Sequence, residues 1–339
     1  MLNKQQNNIN KAKSGFEQAK PNFEMTHQDF LADVLNGLAL PQKSIPCKWF
    51  YDDAGSALFE EITKTEEYYP TRVETQLLNT VVTHLNALIP NLHTVIEPGS
   101  GASVKTRLLL NAIPTLQSYV PIDISATFLS EIAFTLKKDY PLLSITPLVG
   151  DFTQPLQLDA AYEDLPASVA SRLVFFPGST IGNFSPNEAI GLLQNFKALV
   201  DATGWLLIGV DCTQNVTQLT AAYNDSAGIT AQFNQNLLVR ANRVLQSNFN
   251  ISQFAHEAIW NASAGRVEMH LRAVAPQVVE IQGRTFTFEK DETIYTESCF
   301  KYTHAQFLAM AKQSGWQFKQ LWQDAPESSA FTLFLFQKT

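Results

Sequence analysis

Five residues, Glu97-Pro98-Gly99-Ser100-Gly101, constrain this chain more than any other stretch. They follow the apolar run Leu92–Ile96 and precede a helix-like run, Lys105–Ala112. A buried strand, a glycine turn and a helix in that order make the nucleotide corner of an open α/β sheet. The glycines let the backbone approach a ligand, and the helix start presents free N–H groups. The turn departs from the dinucleotide fingerprint in two ways. Val104 stands where the third glycine belongs, and Glu97 at the strand end would repel a pyrophosphate. The ligand that fits carries adenosine, no phosphate and a positive charge. S-adenosylmethionine has those properties.

The rest of the chain supplies the other layers of such a sheet. Helical spacing predicts helices over Asp29–Leu38, Gly55–Thr63 and Thr71–Leu88. Strands are then predicted at Thr94–Ile96, Tyr119–Ile124, Ser144–Val149, Arg172–Phe176 and Trp205–Val210. Between them come helices at Lys105–Ala112, at Ala126–Lys138 with Ser125 as its cap, and after the capping box Ser185-Pro186-Asn187-Glu188. Alternating strands and helices imply a parallel sheet with right-handed crossovers. The alternation stops at Asp211. One long Asn-rich helix is expected over 219–245, then strands at Arg266–Ala273, Gln277–Ile281 and Thr285–Phe288. A helix at His304–Ser314 and an antiparallel hairpin, Phe318–Trp322 with Phe331–Gln337, close the chain. The expected division is a disordered lead over 1–23, an α/β domain over 24–211 plus 302–339, and an inserted domain over 212–301.

Composition excludes several function classes. The net charge of −8 across 339 residues argues against a nucleic-acid surface, which needs clustered Lys and Arg. No run of 18 apolar residues suggests a membrane span, and the polar start MLNKQQNNINKAKSG does not read as a secretory signal. Cys47, Cys212 and Cys299 are odd in number and far apart, as free thiols in a reducing cytoplasm would be. The six histidines lack H-x-x-x-H spacing, so no metal is expected. The expectation is a cytoplasmic monomer acting on a small molecule.

In a doubly wound sheet, ligands bind at the carboxyl ends of the strands. Gly99, Ser100 and Gly101 end the first predicted strand, Asp123 the second, Asp151-Phe152 the third, and Pro177-Gly178 the fourth. Asp123 can accept hydrogen bonds from both ribose hydroxyls. Asp151 can accept from an adenine amino group while Phe152 covers the ring face. Lys105, at the start of the first crossover helix, could pair with the carboxylate of the methionine part. Each aspartate alone reads as a cap or loop residue; at successive strand ends they read together as a cofactor site.

Further polar and aromatic clusters are too ordered for plain loops. They are Trp49-Phe50-Tyr51-Asp52, Glu67-Tyr68-Tyr69-Pro70-Thr71-Arg72, Phe176 to Phe184, Ala222-Tyr223-Asn224-Asp225 and Thr296-Glu297-Ser298-Cys299. At these residues the sequence resembles the L-histidine Nα-methyltransferases of ergothioneine biosynthesis. The resemblance runs from about Lys43 to the C-terminus. It is carried by KWFYDDAGSALFEEIT, EYYPTR, GSGASVKTRLLL, LVGDF, FFPGSTIGNF, AAYNDSAGITAQFNQNLL, RVEMHL and TESCFKY. It implies an α/β, Rossmann-like class I SAM-dependent methyltransferase fold with an inserted second, substrate-binding domain. It also implies that Asn183, Tyr68 and Tyr223 hold the histidine carboxylate, that the Gly178 carbonyl receives the α-amino group, that Glu297 holds the imidazole and that Met269 shapes the side-chain pocket. One position departs. The family's second imidazole contact is a serine two residues after the glutamate; here that residue is Cys299, with Ser298 one place earlier. A thiol is the weaker donor and acceptor. Methyl transfer to an amine needs a free lone pair, and Tyr51 is the candidate to accept the departing proton, directly or through water.

Overall fold

The computed structural model describes residues 26–101, 103–156, 158, 171–325 and 330–339. The expected lead over 1–23 lies outside them. Helices α1 (His27–Leu38), α2 (Asp53–Ile62) and α3 (Pro70–Leu88) precede the first strand, β1 (Leu92–Pro98). Helix α4 (Thr106–Ala112), β2 (Ser118–Asp123), α5 (Ala126–Asp139), β3 (Ser144–Ile145), β4 (Leu148–Val149), β5 (Ser171–Phe176), α6 (Pro186–Ala198) and β6 (Trp205–Asp211) follow. After the insertion come α9 (His304–Gln313), β12 (Trp316–Gln323) and β13 (Phe331–Lys338).

These strands form one sheet in the order β12-β13-β6-β5-β1-β2-β3, with β4 also paired to β2. The pairs β1–β2, β1–β5 and β5–β6 are parallel, and β13 runs antiparallel to both β6 and β12. That order, ending in an antiparallel hairpin, is the Rossmann-like methyltransferase topology. The central strands read as unbroken apolar runs because both faces are covered. Val95, Leu173, Phe175 and Leu207 face the core under α3, α4 and α5. Their chain neighbours Ile96, Val174, Phe176, Leu206 and Ile208 face the core under α6 and α9. Ser125 caps α5 and Ser185 with Glu188 forms the capping box of α6, as their sequence positions suggest. The predicted strand over 144–149 is two fragments, separated at Thr146-Pro147, where proline supplies no N–H to the ladder.

The insertion contains α7 (Val216–Ala222), α8 (Ile229–Leu245), β7 (Phe254–Asn261), β8 (Arg266–Ala273), β9 (Gln277–Ile281), β10 (Arg284–Phe288) and β11 (Thr293–Phe300). Strands β7, β8 and β11 make a three-stranded antiparallel sheet, and β9 and β10 a hairpin. The single Asn-rich helix expected over 219–245 is two helices. Between them Asp225 accepts from the amides of Ile229 (2.8 Å) and Thr230 (2.7 Å), and Gly228 adopts φ +71°. Asp225 therefore offers the backbone a better partner than a continued helix.

The core of this second lobe differs from the expected division. Phe30, Val34, Leu38, Ile45, Trp49, Phe50 and Ile62 pack with Phe233, Leu237, Leu238, Leu245, Leu271 and Ile294, so 30–62 belongs with the insertion's core rather than the large sheet's. Polar contacts reinforce the join. Arg240 donates to the Trp49 carbonyl (2.7 Å), and its guanidinium lies 5.0 Å from the Phe30 ring centroid and 5.1 Å from that of Trp49. Replacing Asp225 with alanine orphans two amides at the start of α8. It should lower stability by about 1–2 kcal/mol in urea unfolding.

Candidate active site

Sheet topology brings the glycine turn, Asp123, Asp151 and the loop after β5 to one end of the sheet. Gly99 and Gly101 hold φ of +66° and +48°, a region where side chains are strained. The amides of Gly99 and Ser100 donate to the Ile122 carbonyl (2.8 and 3.1 Å), which clamps the turn onto β2. A Cβ on Gly99 would sit 3.1 Å from the Phe152 ring, so only glycine lets the aromatic lie this close. Asp123 accepts from the amides of Gly101 (3.3 Å) and Ser125 (3.0 Å), one on each oxygen, leaving lone pairs for ribose hydroxyls. The Ser100 hydroxyl is buried without a hydrogen-bond partner among the described residues. An orphaned donor beside a glycine cradle and a carboxylate suits the sugar and amino-acid parts of S-adenosylmethionine. Asp151 gives one oxygen to the Thr153 amide (2.9 Å) and hydroxyl (2.6 Å), which leaves the other for a ligand. Phe152 packs edge-on against Phe176 at 5.6 Å.

Two acidic residues behave differently from the sequence reading. Glu97 does not confront a ligand at the strand end. It is buried and accepts a hydrogen bond from the Tyr119 hydroxyl, and burial pushes its carboxyl up to about 7. Lys105 forms an ion pair with fully buried Glu74, a residue the sequence reading passed over. Glu74 also accepts from the Gly178 amide with both oxygens (2.9 and 2.8 Å). A Cβ on Gly209 would stand 2.0 Å from it, so β6 needs glycine there. Glu74 thus holds Lys105 and the Gly178 peptide side by side, and Gly178 keeps its φ of +84°. The EYYPTR motif stops two residues short of Glu74, which is why the motif alone did not flag it.

The substrate-side residues converge from four parts of the chain. A 3-10 turn over Thr180–Asn183 packs directly on β11: a Cβ on Gly182 would lie 2.9 Å from the Phe300 carbonyl and 3.0 Å from the Cys299 sulfur. This brings the Asn183 amide to 3.3 Å from the Glu297 carboxylate. Met269 stands opposite Glu297 in the β8–β11 register, on the same face. Burial pushes the Glu297 carboxyl up to about 7, with the Lys301 ammonium pulling the other way. Tyr51, Phe59, Tyr68 and Phe233 form an aromatic wall, with ring separations of 5.8 Å (Tyr51–Phe59 and Tyr51–Phe233) and 6.1 Å (Phe59–Tyr68). Phe59 and Phe233 are additions to the sequence-derived set; both lie inside quoted motifs.

The adjacent tyrosines of EYYPTR separate. Tyr69 donates to Asp211 at 2.6 Å, while Tyr68 turns to the aromatic wall. Strand alternation places Glu297 and Cys299 on one face of β11 and Ser298 on the other. The Cys299 sulfur accepts from Lys301 at 3.4 Å. Tyr51 is 44 % exposed, yet crowding at its hydroxyl and then the nearby Glu297 carboxyl hold its pKa well above the ordinary phenol value. It therefore stays a neutral phenol that can accept a hydrogen bond.

Comparison with known proteins shows the family. The sequence model of a family described as histidine-specific methyltransferase, SAM-dependent, matches residues 30–338. The chain belongs to this family. It is 36 % identical over 317 residues to the histidine N-alpha-methyltransferase of Mycobacterium tuberculosis (strain CDC 1551 / Oshkosh), covering 92 % of this chain and 96 % of that protein. It is 37 % identical over 297 residues to the histidine N-alpha-methyltransferase of Mycolicibacterium smegmatis, covering 86 % and 90 %. A 4-dimethylallyltryptophan N-methyltransferase, easF, of Epichloe festucae var. lolii is 26 % identical over 334 residues, covering 90 % and 95 %. The protein is a SAM-dependent N-methyltransferase. Among the described residues no cluster is arranged to hold a metal, and no helix is long and apolar enough to cross a membrane.

The raised carboxyls have a consequence for stability. Glu97 and Glu297 keep their protons to about pH 7 when folded, against an ordinary 4.5. Between those values the folded state binds more protons than the unfolded, so stability falls as pH rises. In Glu297→Gln this contribution is gone. The ligand-free variant should match wild type near pH 4 and exceed it by about 1–3 kcal/mol at pH 8 in chemical denaturation.

Proposed function

We propose that the enzyme transfers methyl groups from S-adenosylmethionine to the α-amino group of L-histidine, successively, giving the Nα-trimethyl product hercynine for ergothioneine biosynthesis. The observation that carries this reading is the meeting of Asn183 and Glu297 at 3.3 Å beside the Gly178 loop. It supports a reading in which Asn183 serves the carboxylate and Glu297 the imidazole of one amino acid, beside the loop that carries Gly178. The two histidine N-alpha-methyltransferases at 36 % and 37 % identity support it.

The bound sulfonium supplies an electrophilic methyl group. The protein's contribution is placement: Asn183, Tyr68 and Tyr223 fix the carboxylate, Glu297 accepts a ring N–H, and the Gly178 carbonyl directs the amine. Alignment of amine and methyl in a desolvated site is worth several kcal/mol. Tyr51 accepts a hydrogen bond from the ammonium and passes its proton to water, since the phenol itself does not ionise near neutrality. The wall of Tyr51, Phe59, Tyr68 and Phe233 tolerates the growing positive charge through cation–π contact.

A second reading is methylation of a different amino acid. It is favoured by Cys299, whose sulfur faces Lys301 at the place of the family's serine. Incubation with S-adenosylmethionine and an equimolar mixture of the twenty amino acids, read by product mass, decides between them. Histidine gaining three methyl groups is the expected result; another methylated amino acid supports the second reading. Glu297→Ala should raise the KM for histidine on the order of tenfold or more while leaving cofactor affinity near wild type. Equal loss of both would remove Glu297 from the imidazole subsite. Tyr51→Phe should lower turnover most at low pH, measured as kcat against pH; a flat ratio to wild type would discard the relay.

A further inference from the structure

Lys301 follows β11, four residues after Glu297, and its side chain is 1 % exposed. Its ammonium lies 2.6 Å from Asp211 Oδ2, 3.2 Å from the Tyr223 hydroxyl oxygen and 3.4 Å from the Cys299 sulfur. It also stands 5.1 Å from the Tyr223 ring centroid. A lysine head has three N–H donors, and these three partners use them all. Asp211 is fixed in turn by the Tyr69 hydroxyl (2.6 Å) and the Thr213 amide (3.1 Å). The ammonium is therefore held in one place.

Burying such a pair is expensive, and apolar side chains of equal volume usually stabilise a core as well or better. This pair is placed where its charge reaches the pocket. Tyr223 Oη accepts from Lys301, so its own O–H points away from the ammonium, toward the Cys299 sulfur or a ligand oxygen that takes the sulfur's place. A cation at the phenol oxygen also strengthens that donor. The carboxylate subsite read above consists of Asn183, Tyr68 and Tyr223, none of which carries a positive charge, and the Lys301 ammonium is the cation that acts on Tyr68.

We propose that Lys301, anchored by Asp211, is a positioning residue for the amino-acid carboxylate: it aims the Tyr223 hydroxyl into the subsite and supplies the positive potential that the subsite lacks. The inference rests on the reading of Tyr223 as a carboxylate contact. It reaches beyond that reading, because it makes a pair behind the pocket wall responsible for selecting α-amino acids over amines with the same side chain.

Removing Lys301 alone leaves Asp211 as an uncompensated buried charge, which can unfold the lobe by itself. The informative variant therefore neutralises both partners, Lys301→Met with Asp211→Asn. L-histidine KM and kcat, the inhibition constant of histamine, which has the same ring and no carboxylate, and cofactor affinity by calorimetry are then measured. The expected result is a rise in histidine KM of about tenfold or more, with kcat falling by less. Histamine and cofactor affinities stay within about twofold of wild type, and adding Tyr223→Phe costs little more, since both changes remove one interaction. Three results overturn the proposal: an unchanged histidine KM, an equal weakening of histamine, or loss of cofactor affinity, which would make the pair a general brace. Failure of wild-type enzyme to bind histidine would instead overturn the substrate reading. The same comparison, run with the amino acid it does methylate and the matching decarboxylated amine, then tests Lys301 separately.

Discussion

The ligand end of the molecule hangs on one carboxylate. Glu74 reaches from α3 to pair with Lys105, to accept from the Gly178 amide with both oxygens, and to press on β6 at Gly209. The start of α4, the loop after β5 and strand β6 are thereby tied to one helix. A buried carboxylate demands this kind of saturation, because an unsatisfied one is costly. Saturation also freezes the Gly178 peptide, the backbone element closest to where methyl and amine meet in the reading above. Glu74 thereby sets the geometry of the glycine turn and of the Gly178 loop together.

Behind the substrate pocket a second knot follows the same logic. Asp211, at the end of β6, collects Tyr69, Lys301 and the Thr213 amide, while its own amide donates to Ser179. It joins α3, the loop after β5, the end of β6 and β11. The large sheet and the smaller lobe are consequently pinned to each other by polar contacts at the site, while their apolar cores remain separate clusters. Such a join keeps the pocket's geometry defined where the packing of either core alone would not reach.

Much of the sheet was legible in the sequence, and the reasons are local. Parallel strands covered on both faces leave unbroken apolar runs, and Ser125 and Ser185 cap their helices through neighbours a few residues away. The smaller lobe was less legible. Strand β7 is half-buried along its length and carries His256, Glu257 and Asn261, so its alternation is blurred. In β11 the register shifts between Tyr295 and Glu297, which breaks the period of two at the functional residues. Candidate site residues announced themselves through motif order, but their partners did not. Glu74 and Lys301 act across separations of 104 and 90 residues, to Gly178 and Asp211, and no periodicity marks such contacts. Lys105 was read as a partner for the cofactor carboxylate without Glu74 beside it, and Glu97 as a charge repelling pyrophosphate, where it is a buried acceptor for Tyr119.

The packing of residues 30–62 against 233–294 has a consequence for how the chain must be made. Phe30, Trp49 and Phe50 leave the ribosome well over a hundred residues before the helix that covers them. At ordinary elongation speeds that gap lasts roughly ten to forty seconds. Throughout it the growing sheet can assemble, since its strands arrive consecutively, but the first two helices carry uncovered aromatic faces. The substrate lobe is therefore completed late, after the parallel strands of the large sheet have emerged and before its closing hairpin, β12 and β13.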